Sequence, residues 1–229
     1  GQVWRLARDR EIVTGIIPNK GVKLPKYDNR VLRYYTIEEA KELLVEIKSR
    51  SIQWWEICSI MLHTGMRVGE VYSLTWGDVN LQTKTGTARD TKSSARTRYV
   101  YFTEDTNEIL INKYKKQRPG ELIFKNRDGE QIGAVSSTVY RSIEELGFNI
   151  GVSDKKHKAT CHTFRHTYAS LLAQTGEVSL YELKELLGHQ TISQTERYSH
   201  LLPKGLKKAA SKFENIVSVK KINFLFSNI

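Results

Sequence analysis

The stretch from residue 161 to residue 200 constrains this chain most, because it joins helix signals to an unusual concentration of polar donors. Its sequence is CHTFRHTYASLLAQTGEVSLYELKELLGHQTISQTERYSH, in which two glycines separate two or three predicted helices. His162 and Arg165 stand at positions i and i+3, so a helix places them on one face, where both can approach one anionic group. His189 follows a Leu-Leu-Gly helix stop, which predicts an exposed turn, and Tyr198 follows a further short turn or helix.

Composition limits the partners of such a site. The length of 229 residues allows one large domain or two small ones. An apolar content of 39% and a charged content of 27% are typical of a globular fold and argue against disorder. The 36 Lys and Arg residues exceed the 25 Asp and Glu residues by 11, which favours a polyanionic partner, with nucleic acid first among the candidates.

Cysteine usage and hydropathy predict where the protein acts. Cys58 and Cys161 are the only cysteines, and both lie in apolar or helical contexts, which favours a reduced, intracellular protein. The sequence contains neither an apolar run of about 18 residues nor a signal-peptide pattern. We therefore expect no membrane partner and a cytoplasmic, nucleoid-associated location.

The chain is expected to divide into three parts. Residues 1–32 begin with a short helical pattern and continue through a Gly-, Pro- and Lys-rich stretch, as the end of a preceding domain followed by a linker would. The main domain is predicted over residues 33–210, with Thr36 as the N-cap of its first helix. Residues 211–229 form a tail ending in KKINFLFSNI, whose apolar side chains must be buried on their own domain or on another subunit.

Periodicity predicts a mainly helical α+β fold. Helices are predicted from about Thr36, over residues 51–63, after Gly65, and over residues 104–117 and 136–146. The period changes in residues 83–102, where two strands enclose the polar segment DTKSSART, which predicts an antiparallel hairpin with Lys92 on its loop. A lysine there, taken alone, is typical of a solvated strand edge.

Arg67 and Glu70 stand three positions apart at the start of the helix after Gly65. Such a pair, taken alone, is usually a surface ion pair that contributes a few tenths of a kcal/mol. The other polar residues of the chain change the interpretation of this pair.

Two arginines, a lysine, two histidines and a tyrosine form a set of hydrogen-bond donors that includes one nucleophile. The paired acids of a two-metal site do not accompany them. Such a set suits attack on a phosphodiester, whose charge must be stabilised without a metal.

Four motifs in order resemble the tyrosine recombinases, the lambda-integrase-like family of site-specific DNA recombinases. They are HTGMRVGE, TKSS in the hairpin, HTFRHTYASLL, and LLGHQTISQTERYSHL. Only Phe164 departs from the family's pattern, where leucine is commoner. The resemblance implies these site residues: Arg67, Lys92, His162, Arg165, His189 and Tyr198, with Glu70 as the supporting acid.

The resemblance also implies a mechanism. Tyr198 attacks a DNA phosphate, forms a 3′-phosphotyrosyl bond and releases a 5′-hydroxyl, and attack by a hydroxyl from a partner strand reverses the step. Arg67 and Arg165 clamp the non-bridging oxygens in a forked geometry that a lysine cannot reproduce. Neither ATP nor a metal or other cofactor is implied, because the energy of the broken bond is kept in the intermediate.

The other family positions receive supporting roles. Lys92 is the expected general acid for the departing 5′-oxygen, and His162 the group that handles the tyrosine proton. His189 is the expected neutral donor to the phosphate. Glu70 is expected to hold Arg67 or a nearby histidine in place.

Neighbouring residues admit alternative interpretations. His162 and His166 have the i, i+4 spacing of a zinc site, but no third ligand pattern accompanies them, so His166 is expected to brace its helix. Cys161 precedes His162, but adjacent residues on a helix face apart. Nonspecific phosphate contacts are predicted for Lys155, Lys156, Lys158, Lys204, Lys207 and Lys208.

The family resemblance implies double-stranded DNA as the partner and a homotetramer on two duplexes, with a monomer compatible with the free protein. It also allows an accessory DNA-bending protein or an excisionase, and a tail exchanged between subunits. Integration or excision of a mobile element is the expected function. A type IB topoisomerase-like enzyme and a catalytically silent DNA-binding regulator on the same fold are the alternatives.

Overall fold

The structure, a computed structural model, describes residues 2–16, 33–89 and 97–203. The chain separates into two compact units, Gly1–Arg30 and Val31–Ile229. The first unit contains helix α1 (Gln2–Asp9), none of whose residues is buried. Lys92, the three lysines predicted after Pro203 and the predicted tail 211–229 lie outside the described residues.

The second unit is mainly helical and contains a small antiparallel sheet, which confirms the predicted α+β class. Single 3₁₀ turns connect several of its elements. In chain order the helices and strands are α2 (Ile37–Arg50), α3 (Ile52–Thr64), α4 (Val68–Tyr72), β1 (Val79–Asn80), β2 (Thr85–Arg89), β3 (Thr97–Tyr101), α5 (Glu104–Lys113), α6 (Ser137–Glu145), α7 (Thr163–Thr175), α8 (Leu180–Leu187) and a final 3₁₀ helix (Glu196–Leu201).

Local signals set the first two helices of this unit. The Thr36 hydroxyl accepts from the backbone N–H of Glu39 at 3.1 Å, which confirms the predicted N-cap, and the Glu39 carboxylate accepts from the Thr36 N–H at 2.9 Å, which completes a capping box. Helix α3 ends at Gly65, whose φ of 65° is left-handed.

Helix α5 is shorter than predicted. Residues 104–117 were expected to be helical, but the helix ends at Lys113 and Lys116 has a φ of 58°. The Tyr114 ring packs against the Trp76 ring with centroids 5.0 Å apart. Tyr114 makes this contact in an extended conformation, with φ of −74° and ψ of 120°, so tertiary packing accompanies the early end of the helix.

The sheet has the strand order β1-β2-β3. Strand β1 has two residues, too few to produce a periodic sequence signal. Val100 of β3 is buried and pairs with Gly86, whereas Tyr99 and Tyr101 are exposed, as the alternation of a half-buried strand requires.

Two apolar clusters support the site. The larger packs α3 between α2 and α7 and includes Ile57 and Phe164. The smaller lies between α7, α8 and the final 3₁₀ helix, and it includes Leu187 and Tyr198. No helix in the described ranges is long and apolar enough to span a bilayer.

Candidate active site

Glu70 lies at the centre of a cluster of arginines. The backbone N–H and one terminal nitrogen of Arg67 each donate to its carboxylate at 2.8 Å, so the predicted pair is present. The Glu70 side chain is 2% exposed, whereas that of Arg67 is 35% exposed. Burial acts to raise the pKa of Glu70, but the hydrogen bond and charge of Arg98 and the charge of Arg165 outweigh it and lower the pKa. The pair is therefore an anchored, partly buried contact rather than a surface ion pair.

Arg98 was missed by sequence reasoning, which assigned it only to a strand. From β3 it donates through both terminal nitrogens to the two oxygens of Glu70, at 2.8 Å each. Its Nε donates to the carbonyl of Leu186 at 3.0 Å, so Arg98 joins the sheet to α4 and to the end of α8. The sequence contained one signal of this role, a charged residue at the start of the aromatic and β-branched run RYVYF.

Arg165 projects from the first turn of α7 and is fully enclosed by protein. Its terminal nitrogens donate to the carbonyls of Gly65 and Leu187 at 2.6 Å each, and one of them lies 4.0 Å from Glu70. Burial and the positive charge of Arg67 lower its pKa to about 9, so it remains charged at neutral pH. Two helix ends thus hold the guanidinium before any substrate binds.

His189 follows the C-cap of α8 and is half-buried, rather than at the exposed turn that the sequence predicted. Its Nδ1 lies 2.9 Å from the Thr195 hydroxyl. Burial, followed by the charges of Arg165 and Arg67, lowers its pKa to about 3, so the ring is neutral at pH 7. In the tautomer that accepts from Thr195 at Nδ1, the Nε2–H is free to donate.

His162 begins α7 and keeps an exposed surface. Desolvation, followed by the charges of Arg165 and Arg67, lowers its pKa to about 4. Its ring meets the ring of His166 edge-on, with centroids 4.9 Å apart. His162 is therefore a neutral group at the mouth of the cluster.

Tyr198 lies in the final 3₁₀ helix and is 4% exposed. Its hydroxyl is 2.6 Å from Nδ1 of His166, which was expected only to brace its helix. Burial raises the pKa of the Tyr198 phenol, while the charges of Arg197 and Arg165 oppose the rise. His166, not His162, is therefore the histidine in contact with the predicted nucleophile.

A cavity of about 330 Å³ opens beside the arginine cluster, with room for a phosphate group. It is lined by Arg67, Arg98 and His189, among others. Tyr198 and His166 line a separate, much smaller cavity. The described residues therefore form one group that can bind an oxyanion and a second group around the phenol.

The lysines predicted to contact DNA lie partly inside and partly outside the described residues. Lys155 and Lys158 are exposed, and the backbone carbonyl of Lys156 accepts from the N–H of Arg33 at 3.4 Å. Lys92 and the lysines at positions 204, 207 and 208 are outside the described residues. In the part of the chain that is described, no three His, Cys, Asp or Glu side chains are grouped to hold a metal ion.

A mainly helical α+β domain thus holds three arginines around a buried acid, with neutral histidines and a buried tyrosine in the same domain, and the cavity beside the arginines can accept an oxyanion. Residues 33–204 match the phage integrase family, and the chain belongs to that family.

Several characterised proteins are similar to this chain. Tyrosine recombinase XerA of Saccharolobus solfataricus is 31% identical over 146 residues, which cover 64% of this chain and 45% of the relative. The catalytic domain of bacteriophage HP1 integrase is 26% identical, with a TM-score of 0.63 over 82% of this chain and 98% of that one. XerH recombinase, solved on a palindromic difH substrate in a post-cleavage complex, is 25% identical, with a TM-score of 0.58 over 81% of this chain and 54% of that one. The chain spans 45% to 65% of the length of four curated recombinases that it matches.

Proposed function

We propose that this chain carries the catalytic domain of a tyrosine-type site-specific DNA recombinase, an integrase that cleaves and rejoins strands through a 3′-phosphotyrosyl intermediate. The observation that carries the proposal is the convergence of three arginines on the buried Glu70 carboxylate, beside a cavity. Membership of the phage integrase family supports the same chemistry.

The arginine cluster suits stabilisation of a pentavalent phosphate. Arg165 is fixed by two backbone carbonyls and Arg67 by Glu70, so neither needs to reorganise when charge develops on the non-bridging oxygens. Glu70 offsets part of the mutual repulsion of these cations. His189, neutral and aimed by Thr195, donates a further hydrogen bond to the phosphate.

Two assignments rest on the family pattern. Lys92 is the general acid that protonates the departing 5′-oxygen, and Tyr198 is the nucleophile. The geometry supports His166 rather than His162 as the partner of the tyrosine proton, because the phenol contacts His166 and His162 lies one ring further out.

Double-stranded DNA is the proposed partner. The net charge of +11 and the substrate-bound XerH relative support this assignment. The exposed Lys155 and Lys158 contact phosphates without reading sequence, as do Lys156 and the lysines at 204, 207 and 208. The enzyme acts in the cytoplasm at the nucleoid, where its substrate lies.

The domain bounds and the assembly are also proposals. The catalytic domain covers residues 33–210, in accord with the family match over residues 33–204. Four copies assemble on two duplexes, and residues 211–229 pack in cis or pass to a neighbouring subunit. The tail's apolar sequence supports burial in one of these ways.

Covalent trapping tests the proposed function. The substrate is a pool of nicked duplexes with randomised core sequences. After cleavage the short leaving strand diffuses away, so rejoining is prevented. A covalent DNA adduct that resists denaturing detergent should therefore accumulate on the wild-type chain. Tyr198→Phe abolishes the adduct, while Tyr168→Phe, in the same apolar cluster, retains it. Absence of an adduct from the wild type, or an adduct on Tyr198→Phe, contradicts the proposal. Relaxation of supercoiled plasmid without exchange between two cleaved sites would instead support a type IB topoisomerase-like enzyme.

A further inference from the structure

The hydrogen bond between Tyr198 and His166 is buried and joins two distant parts of the chain. The phenol oxygen and Nδ1 are 2.6 Å apart, and the residues are 32 positions apart in sequence. Tyr198 is 4% exposed and His166 is 5% exposed. In the tautomer that leaves Nδ1 unprotonated, the phenol donates to this ring, which is then the nearest acceptor for a phenolic proton held away from bulk water.

The alternative acceptor, His162, is placed less favourably. Its ring packs edge-on against His166, and no hydrogen bond among the described residues joins it to Tyr198. His162 is exposed at the N-cap of α7. The three rings therefore form a row in the order Tyr198, His166, His162.

We propose that His166 is a catalytic residue that accepts the proton of Tyr198 when the phenol attacks the phosphate, and returns it when the strand is rejoined. The inference rests on the proposed recombinase function. During cleavage, the bond from Oη of Tyr198 to phosphorus forms while the bond from phosphorus to the 5′-oxygen breaks. The phenolic proton passes to Nδ1 of His166, and the 5′-oxygen takes a proton from Lys92. Rejoining runs the same transfers in reverse, so charge and protons balance.

The surroundings of His166 make this acceptance depend on substrate. Burial, followed by the charges of His162 and Arg197, lowers the pKa of His166 to about 3, so the free protein holds a neutral ring that can accept. A phosphodiester anion on the arginine cluster adds negative charge nearby and raises this pKa toward its ordinary range. The titratable and charged groups facing the ring are His162 and Arg165 from α7, Tyr198, Arg197 and His200 from the final 3₁₀ helix, and Arg33 and Tyr34 from the segment before α2.

His166→Asn separates proton acceptance from hydrogen bonding. The asparagine side-chain oxygen lies near the place of Nδ1 and can accept from the phenol, but it does not titrate. We expect single-turnover cleavage and rejoining of the nicked duplex pool to slow by about 10²-fold or more. We also expect the pH profile of cleavage to lose one titration, with DNA affinity and melting temperature kept. His200→Asn, in the same cavity, is the matched control and retains the wild-type rate and profile.

A second measurement excludes a purely structural effect. Site-specific 3,5-difluorotyrosine at position 198 has a more acidic phenol, which needs less help from a base. In the His166→Asn variant, this residue should raise the cleavage rate at least tenfold. In the wild-type protein, the same replacement should change the cleavage rate little. The inference is overturned if His166→Asn cleaves at the wild-type rate or faster with an unchanged pH profile. It is also overturned if the fluorinated residue gives no rescue. A wild-type chain that forms no adduct would instead contradict the proposed function.

Discussion

Arg98 donates both terminal nitrogens to the two carboxylate oxygens of Glu70, at 2.8 Å each, in the fork geometry that only an arginine provides. The same carboxylate accepts from Arg67 at 2.8 Å. A residue of the sheet therefore fixes the acid that fixes Arg67, one of the proposed phosphate-binding arginines. We propose that Arg98 is a positioning residue, because it holds Arg67 through Glu70.

Arg98→Ala should destabilise the domain by about 3 kcal/mol, because it leaves a buried carboxylate partly unpaired. Cleavage of nicked DNA should fall on the order of 10²-fold as Arg67 loses its fixed orientation. Arg98→Lys should recover part of the stability and little of the activity, since an ammonium cannot pair with both oxygens. Chemical denaturation and covalent trapping measure the two effects.

Arg89→Ala is the control for this prediction. Arg89 is in the same sheet and pairs with the buried Asp78, but its own side chain is 61% exposed. Its loss should cost less than about 1 kcal/mol and leave cleavage unchanged, because the Asp78 carboxylate keeps its hydrogen bonds from the N–H and hydroxyl of Thr75. Equal losses of activity in the two variants would show that any ion pair of the sheet matters equally, contrary to a positioning role for Arg98.

Gly65→Ala should impair both stability and cleavage. The left-handed φ of 65° alone costs a non-glycine residue about 1–2 kcal/mol. A Cβ at this position would also lie 2.4 Å from Cδ1 of Tyr168, so the Tyr168 ring must move or the backbone whose carbonyl accepts from Arg165 must shift. Gly151→Ala isolates the backbone cost, because its φ is 73° and its Cβ meets nothing within 4 Å. Equal melting temperatures and cleavage rates for the two variants would contradict the steric argument.

The free energy of unfolding should fall as the pH is lowered from 7 to 5. The pKa values of His166 and His189 are lowered to about 3 in the folded protein, from an ordinary value of 6.5. Between these values the unfolded chain binds protons that the folded chain does not, so each such histidine contributes a slope of up to about 1.4 kcal/mol per pH unit. Denaturation at several pH values measures the slope. His189→Asn, which can still accept from Thr195, should flatten it, and a stability that is constant from pH 7 to 5 would contradict the burial of these neutral rings.

Lys155 and Lys158 should contribute to DNA affinity without affecting sequence preference. Replacing either by alanine should make the plot of log affinity against log salt concentration shallower by about 0.9, the slope expected for one phosphate contact. Lys48→Ala is the control, because the Lys48 ammonium lies 4.0 Å from the centroid of the Trp55 ring. Titrations of labelled duplex at several salt concentrations measure the slopes. An unchanged slope for both variants would remove these lysines from the interface.

Local sequence signals predicted the parts of the fold that depend on neighbouring residues. The N-cap at Thr36 and the helix stop at Gly65 act over a few residues, and the structure confirms both. The contact between Arg67 and Glu70 was predicted for the same reason, since three positions span one helical turn. The catalytic roles of these residues stay predictions, because they depend on DNA.

Contacts between distant elements could not be predicted in this way. Arg98 reaches Glu70 across 28 positions, and His166 reaches Tyr198 across 32. Each contact exists only because the sheet and the final 3₁₀ helix pack against the helical core. The family resemblance named one supporting residue, Glu70, but neither of these two contacts.

The identity of the DNA-linked residue tests the central claim most directly. After trapping on nicked duplex, nuclease trimming and trypsin digestion, mass spectrometry locates the nucleotide remnant. We predict it on the peptide YSHLLPK, which begins at Tyr198 and contains a single tyrosine. A remnant on any other tyrosine, or on a serine, histidine or lysine, would contradict the assignment of Tyr198 as the nucleophile.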